Sequence, residues 1–202
     1  MPHLLSSPAS DKAALRAQAL ARRAGLDAAV RRAAAEAAAL HAAAFLAPAN
    51  GRIVALFAPI GAEIDTAPLA ALLRAAGATL ALPVVVDMDG PLIFRLWRAD
   101  EALVPSLGPG RRAIPAPPPG APQVRPERVV VPLAAFDSHG QRIGYGRGHY
   151  DRTLAQLRRL GPVPALGYAF AVQQVAHVPA EPHDEPLDAI ATDAGLLRRA
   201  GD

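Results

Sequence analysis

The sequence predicts an α/β fold in three layers, with a sheet between helices, and three observations predict it. Short apolar runs suited to strands alternate with stretches of helical character from residue 52 onward. Val129-Val-Val131 is the most strongly β-branched run of the chain and belongs at the centre of a sheet. Charged or glycine-rich segments follow the expected strands at Glu63, at 143–152 and at Asp184, where an open α/β sheet presents its ligand site. With 202 residues, 51% of them apolar, the chain can bury one substantial core. One domain spanning 1–202 is expected, with 1–47 as its helical N-terminal part.

Ser10 or Asp11 can cap a first helix reaching about residue 24, and Asp27 a second reaching about Phe45. Both helices are alanine-rich, and their pairs Arg22-Arg23 and Arg31-Arg32 read as solvated faces. Residues 52–57 then form a buried strand, 59–65 a loop, and Thr66 caps a helix to about Ala76. Strands at 80–86 and 92–97 flank an Asp87-Met-Asp-Gly90 turn, which suggests a hairpin. The proline-rich run 114–128 reads as an extended surface loop before the central strand at 129–131. Residues 150–160 are helical, and 165–168 and 188–191 are closing strands.

Composition excludes several classes. The absence of cysteine rules out a disulfide framework and a thiolate metal site and suits a reducing cytoplasm. The N-terminus has no basic n-region, and the alanine-rich stretch up to Phe45 is broken by Arg31, Arg32, Glu36 and His41. Neither a signal peptide nor a membrane span is therefore expected. The net charge is only +3, aromatics make up 4% of the chain, and basic and aromatic residues do not alternate, so nucleic acid is not an expected partner.

The densest chemical signal is Ile143-Gly-Tyr-Gly-Arg-Gly-His-Tyr-Asp-Arg152. Its alternating glycines let backbone N–H groups approach an anion, while Arg147 and Arg152 add charge and Asp151 can hold a metal. The helix that follows aims its N-terminus at the same place. The spacing is neither that of a Walker P-loop nor that of the dinucleotide fingerprint. Lys12, the only lysine, is either an ordinary surface residue or a point charge kept for a phosphate, and Arg16 follows it at i+4 on the same helical face. Glu63, in an otherwise apolar loop, either accepts ligand N–H groups or favours the dipole of the helix after it.

Asp151 and Asp184 can together hold Mg²⁺, an ion that seeks oxygen ligands. Asp137 reads instead as a turn residue and Asp188 as a strand-start residue. His139, His177 and His183 lack metal-ligand spacing, and Trp97 belongs either to the core or to a site wall. With no cysteine and no Gly-x-Ser-x-Gly elbow, no covalent nucleophile is evident.

Read with its flanks, the segment from Val131 to Arg152 resembles the signature of the 5-formyltetrahydrofolate cyclo-ligases, also called 5,10-methenyltetrahydrofolate synthetases. The likeness extends to Lys12-x-x-x-Arg16, to Glu63-Ile-Asp-Thr66 and to His183-Asp-Glu-Pro-Leu-Asp188 followed by Thr192. One departure is His149, where the family commonly has Tyr. The resemblance implies a Rossmann-like three-layer sheet of the sugar-phosphate isomerase and CoA-transferase type. It also implies ATP-dependent conversion of 5-formyltetrahydrofolate to 5,10-methenyltetrahydrofolate with release of ADP and phosphate.

On that resemblance Lys12, Arg16 and Arg147 are the catalytic cations. ATP is held by Lys12, Arg16, Arg142, Gly144, Tyr145, Gly146, Arg147, Gly148, His149, Tyr150 and Asp151. The folate contacts are Ala58, Glu63, Tyr145, Arg147 and His149, and Mg²⁺ sits on Asp151 and Asp184. The expected partners are these two small molecules, with a monomer working in the cytoplasm. Two other classes stand beside this one: a phospholigand-binding enzyme of the isomerase or transferase type that needs no ATP, and a non-catalytic regulator.

Overall fold

Helices α1 (Pro8–Ala24) and α2 (Ala28–Phe45) open the chain in the computed structural model, which describes residues 8–107 and 113–199. Helix α1 already runs from Pro8, so Ser10 and Asp11 lie inside it rather than capping it. Asp27 does cap α2, its Oδ1 accepting from the N–H groups of Ala29 at 2.8 Å and Val30 at 2.9 Å. Along α2 the buried residues are Ala34, Ala35, Ala38, Ala39 and Ala42, a stripe of short side chains on one face that lets the helix lie close to the sheet.

The chain continues through β1 (Ile53–Ala55), α3 (Ala67–Ala75), β2 (Thr79–Val84), β3 (Ile93–Leu96), β4 (Val104–Leu107), β5 (Ala113–Ala116) and β6 (Gln123–Val124). It ends with β7 (Arg128–Val131), β8 (Ala135–Phe136), β9 (Arg142–Ile143), α4 (His149–Arg159), β10 (Ala165–Tyr168), β11 (Ala189–Thr192) and β12 (Gly195–Arg198). Eight strands form one sheet in the order β12-β11-β10-β7-β1-β2-β3-β6. The inner five, from β11 to β2, are parallel, and β12, β3 and β6 extend them antiparallel. The valine triplet of β7 is central, as its composition demands.

Strand alternation splits the core in two. Val54, Leu56, Leu80, Leu82, Val130, Leu166 and Tyr168 pack with α2 and α3 on one face, and Ala55, Ala81, Val129, Val131 and Ile190 pack with Leu154 and Leu157 of α4 on the other. Helices thus cover both sides of a mostly parallel sheet. Helix α1 belongs to neither layer. Its Ala19 and Leu15 pack against Ala135, Ile143, Val175 and Val178, which sets it beside the segment that carries the glycines.

Three local expectations change. Thr66 stands at the start of α3 but donates its hydroxyl to the Phe57 carbonyl at 3.1 Å, while Asp65 Oδ1 accepts the Ala67 N–H at 2.9 Å. The proline-rich run is not all loop, because β5 pairs with β4 and β6 joins the sheet edge beside β3, where missing N–H donors are tolerated. The strand at 189–192 does not close the sheet, since β12 pairs outside it. Trp97 packs toward the α2–α3 core under the Arg74 guanidinium, 4.2 Å from the ring centroid.

Leu154, fully buried between α4 and the sheet, ties the glycine-loop helix to the core. Leu154→Ala is expected to lower the unfolding free energy by about 2–5 kcal/mol, read from the midpoint of urea unfolding.

Candidate active site

Beyond the parallel strands β1 and β7 the chain continues through Phe57-Ala58 and Pro132, which line a cavity of about 560 Å³. An open α/β sheet places its ligand here, where chain ends diverge and loop side chains can converge. Its lining includes the apolar Leu20, Pro83, Val85 and Leu92 and much of the glycine segment between Arg142 and Asp151. Ser106 of β4 and Ile114 of β5 complete the lining, so the start of the proline-rich run contributes to the site.

Gly146 (φ +86°) and Gly148 (φ +63°) both occupy the left-handed region, and Gly148 is the N-cap residue of α4. A Cβ on Gly148 would also sit 2.9 Å from an Arg152 nitrogen. The loop therefore runs through left-handed glycines directly into a helix N-terminus, the local arrangement its sequence predicts. Arg152 is not part of the cavity lining. Its Nη2 donates to the Arg147 carbonyl at 2.6 Å and closes the loop, which leaves Arg147 exposed at the cavity wall.

Asp151 Oδ1 accepts from Arg142 Nη2 at 2.6 Å and from the Glu185 N–H at 3.1 Å. Arg142, buried, also donates to the Glu185 carbonyl. Arg142 and Asp151 thus line the cavity as an ion pair that anchors the 185 segment to the loop.

Lys12 Nζ lies 2.6 Å from Glu181 Oε2 and 2.7 Å from Asp184 Oδ2. Burial alone would lower its pKa, but the hydrogen bonds and charges of Asp184 and Glu181 outweigh it and hold the ammonium above its ordinary value. Arg16 Nε donates to the Gly144 carbonyl at 2.8 Å. Lys12, Arg16, Gly146 and Asp184 do not line the cavity itself, whereas Ala58, Glu63, Tyr145, Arg147, His149 and Tyr150 do. Asp151 and Asp184 are each matched with a cation of the protein, Arg142 for one and Lys12 for the other. Among the described residues, Glu181, His183 and Asp184 are the group of three whose ligand atoms lie within 4.8 Å of one another, and Lys12 already stands against it.

Glu63 Oε2 accepts the Ile60 N–H at 2.8 Å. Burial pushes its carboxyl up from the ordinary value, against the pull of the Tyr145 hydroxyl, the Ile60 N–H and the Arg23 charge. Burial likewise drives the phenols of Tyr145 and Tyr150 well above their usual range, so both stay neutral. His149 Nδ1, 2.9 Å from the Gly90 carbonyl, must donate there, and its buried Nε2 has no partner among the described residues.

Arg23 is the residue that sequence reading misplaced. It is 8% exposed rather than solvated, lines the cavity, and donates through Nη1 to the Tyr145 hydroxyl at 2.7 Å. The signal that could have found it is spacing. Lys12, Arg16, Leu20 and Arg23 follow one another at four, four and three residues, a single face of α1. Asp137 and Asp188 are structural as expected: Asp137 accepts the N–H groups of His139, Gln141 and Val178, and Asp188 accepts that of Ala165.

A profile of the 5-formyltetrahydrofolate cyclo-ligase family matches residues 8–193. The chain belongs to the 5-formyltetrahydrofolate cyclo-ligase family. The 5-formyltetrahydrofolate cyclo-ligase of Escherichia coli strain K12 is 37% identical over 144 residues, covering 69% of this chain and 76% of the relative. That of Mycolicibacterium smegmatis is 32% identical over 150 residues, covering 71% and 74%. Among solved structures, a 5,10-methenyltetrahydrofolate synthetase from Mycoplasma pneumoniae superposes with a TM-score of 0.70 at 26% identity, over 91% of this chain and 99% of that one. The Aquifex aeolicus synthetase does so with a TM-score of 0.70 over 95% and 94%. The sequence resemblance and the cyclo-ligase fold thus agree, and the landmarks Lys12 and Asp184 pair with each other.

A left-handed φ makes Gly148 hard to replace. Gly148→Ala is expected to lower stability by about 1–2 kcal/mol, seen as a reduced thermal midpoint, whereas Gly144→Ala, with open space around the added methyl, stays near wild type.

Proposed function

We propose that this protein converts 5-formyltetrahydrofolate to 5,10-methenyltetrahydrofolate at the expense of ATP, releasing ADP and phosphate. The observation that carries the reading is one cavity whose lining combines apolar residues and Glu63 with a glycine loop that carries Arg147 and leads into a helix N-terminus. The first suits a flat heteroaromatic ligand with N–H donors, and the second suits a polyphosphate.

The chemistry fits that lining. An amide-like formyl oxygen leaves poorly, so transfer of the terminal phosphoryl group of ATP onto it, with ADP departing, turns it into a good leaving group. N10 then attacks the formyl carbon, loses its proton, and expels phosphate. The protein's work is to align the two ligands and neutralise charge. In this reading the Gly144–Asp151 loop cradles the phosphates, and Arg147 meets the transferred group. Lys12 and Arg16, brought to the loop by α1, add charge as the Lys12 ammonium exchanges carboxylate for phosphate. Ala58, Glu63, Tyr145 and His149 meet the folate.

Mg²⁺ fits the oxygen donors on this rim. Asp151 uses only Oδ1 within the protein among the described residues, and Asp184 becomes available where Lys12 turns to phosphate. When bound with ATP, the ion would neutralise phosphate charge. A cytoplasmic, monomeric enzyme on a sheet of the sugar-phosphate isomerase and CoA-transferase type is part of the same reading. The sheet type is supported by the mostly parallel strand order, and among the described residues no helix is long and apolar enough to cross a membrane.

Mixing the purified protein with 5-formyltetrahydrofolate, ATP and Mg²⁺ should produce the methenyl chromophore, and omitting ATP should abolish it. Turnover without nucleotide would overturn the reading in favour of an isomerase- or transferase-type reaction. Lys12→Ala is expected to weaken ATP binding about ten-fold or more by titration calorimetry, with Lys12→Arg restoring it only in part because a planar fork replaces a point charge.

A further inference from the structure

Most buried arginines face a carboxylate, because a guanidinium removed from water without a counter-charge costs several kcal/mol. Arg23 is an exception. Among the described residues its hydrogen bond goes to a neutral phenol, Tyr145, at 2.7 Å, its carbon CZ stands 5.9 Å from that ring's centroid, and its Nε is buried with no partner. Guanidinium groups only donate, so the Tyr145 oxygen must accept, which leaves the phenolic hydrogen free for another acceptor. Beside it stands the Glu63 carboxylate, whose second anchor is the Ile60 N–H. All three side chains line the same cavity, and they come from three separate segments: helix α1, the loop after β1 and the glycine loop.

We propose that Arg23, acting through Tyr145, is the positioning residue that keeps Glu63 a charged, oriented hydrogen-bond acceptor for the N–H donors of the folate ring. The inference rests on the reading that Glu63 contacts folate. Burial works against Glu63 staying ionised, and Arg23 and Tyr145 work for it. The charged and titratable groups that face this carboxylate are Arg23 from α1, Tyr145 from the glycine loop and Tyr150 from α4. Both phenols stay neutral, so Arg23 supplies the positive charge. Without it the folded-state carboxyl moves further up and takes a proton at a higher pH than in the wild type, losing the acceptor the substrate needs.

The test measures KM for 5-formyltetrahydrofolate and for ATP between pH 6 and 8 in wild type, Arg23→Gln, Arg23→Lys, Glu63→Gln and the double variant Arg23→Gln/Glu63→Gln, with thermal midpoints alongside. Arg23→Gln should raise the folate KM about ten-fold at pH 6, the scale of one charge-assisted hydrogen bond, and less at pH 8, with the ATP KM unchanged. Arg23→Lys should restore the wild-type pH dependence even where it binds less well. In the Glu63→Gln background the Arg23→Gln substitution should add nothing. If Arg23→Gln raises the folate KM equally with and without Glu63, or equally at every pH, the proposal is wrong. If Glu63→Gln leaves the folate KM at the wild-type value, it is the folate-contact reading that fails. Should Arg23→Gln not fold, Tyr145→Phe, which removes only the relaying hydroxyl, must give the same pH-dependent rise or the proposal falls.

Discussion

One helix face holds the site together. Along α1, Lys12 binds the Glu181–Asp184 segment, Arg16 binds the Gly144 carbonyl, and Arg23 binds the Tyr145 hydroxyl. These contacts join segments more than a hundred residues apart in the chain, and they add to the direct bonds by which Arg142 and Asp151 already hold Glu185 to the glycine loop. The apolar side of the same docking, Ala19 and Leu15 against Ile143, Val175 and Val178, supplies the burial that makes the polar contacts affordable. The result is a helix outside the three layers whose role is to fix loops rather than to fill the core.

Charge is arranged by pairing. Arg142 with Asp151 and Lys12 with Asp184 and Glu181 are partly buried pairs, whose attraction must offset the loss of water around each ion. Such pairs contribute little net stability, yet they specify geometry, because each leaves its partner costly to strand. A ligand phosphate competes for cations already held by carboxylates, and a metal competes for carboxylates already held by cations. Nucleotide and ion together can satisfy both sets, which neither does alone. Burial at the Glu63 end works differently: there a carboxylate is kept among neutral phenols with one arginine behind it.

Much of the fold could be read without coordinates. Val129-Val-Val131, the Asp27 cap and the 3.6-residue alanine stripe of α2 each carry a local physical signal that tertiary packing did not override. The glycine loop was legible for the same reason, since left-handed φ values at Gly146 and Gly148 call for glycine wherever the loop sits. Edge strands were less so. β6, two residues long, and β12 each lie at an edge of the sheet and pair with one neighbour, and prolines within β4 and β5 mask the pairing of those strands.

The sequence by itself determined the fold class, the Asp27 cap of α2, and the set of residue types available for phosphate chemistry. Only the tertiary structure decided which charge meets which. Whether Asp184 faces Asp151 or Lys12, and whether Arg23 is solvated or buried against Tyr145, depends on how α1 lies across loops far away in the chain. Periodicity records which residues share a helix face, but the partner of that face is fixed by long-range packing, and pairing between charges is decided by distances of a few ångströms that no local pattern encodes.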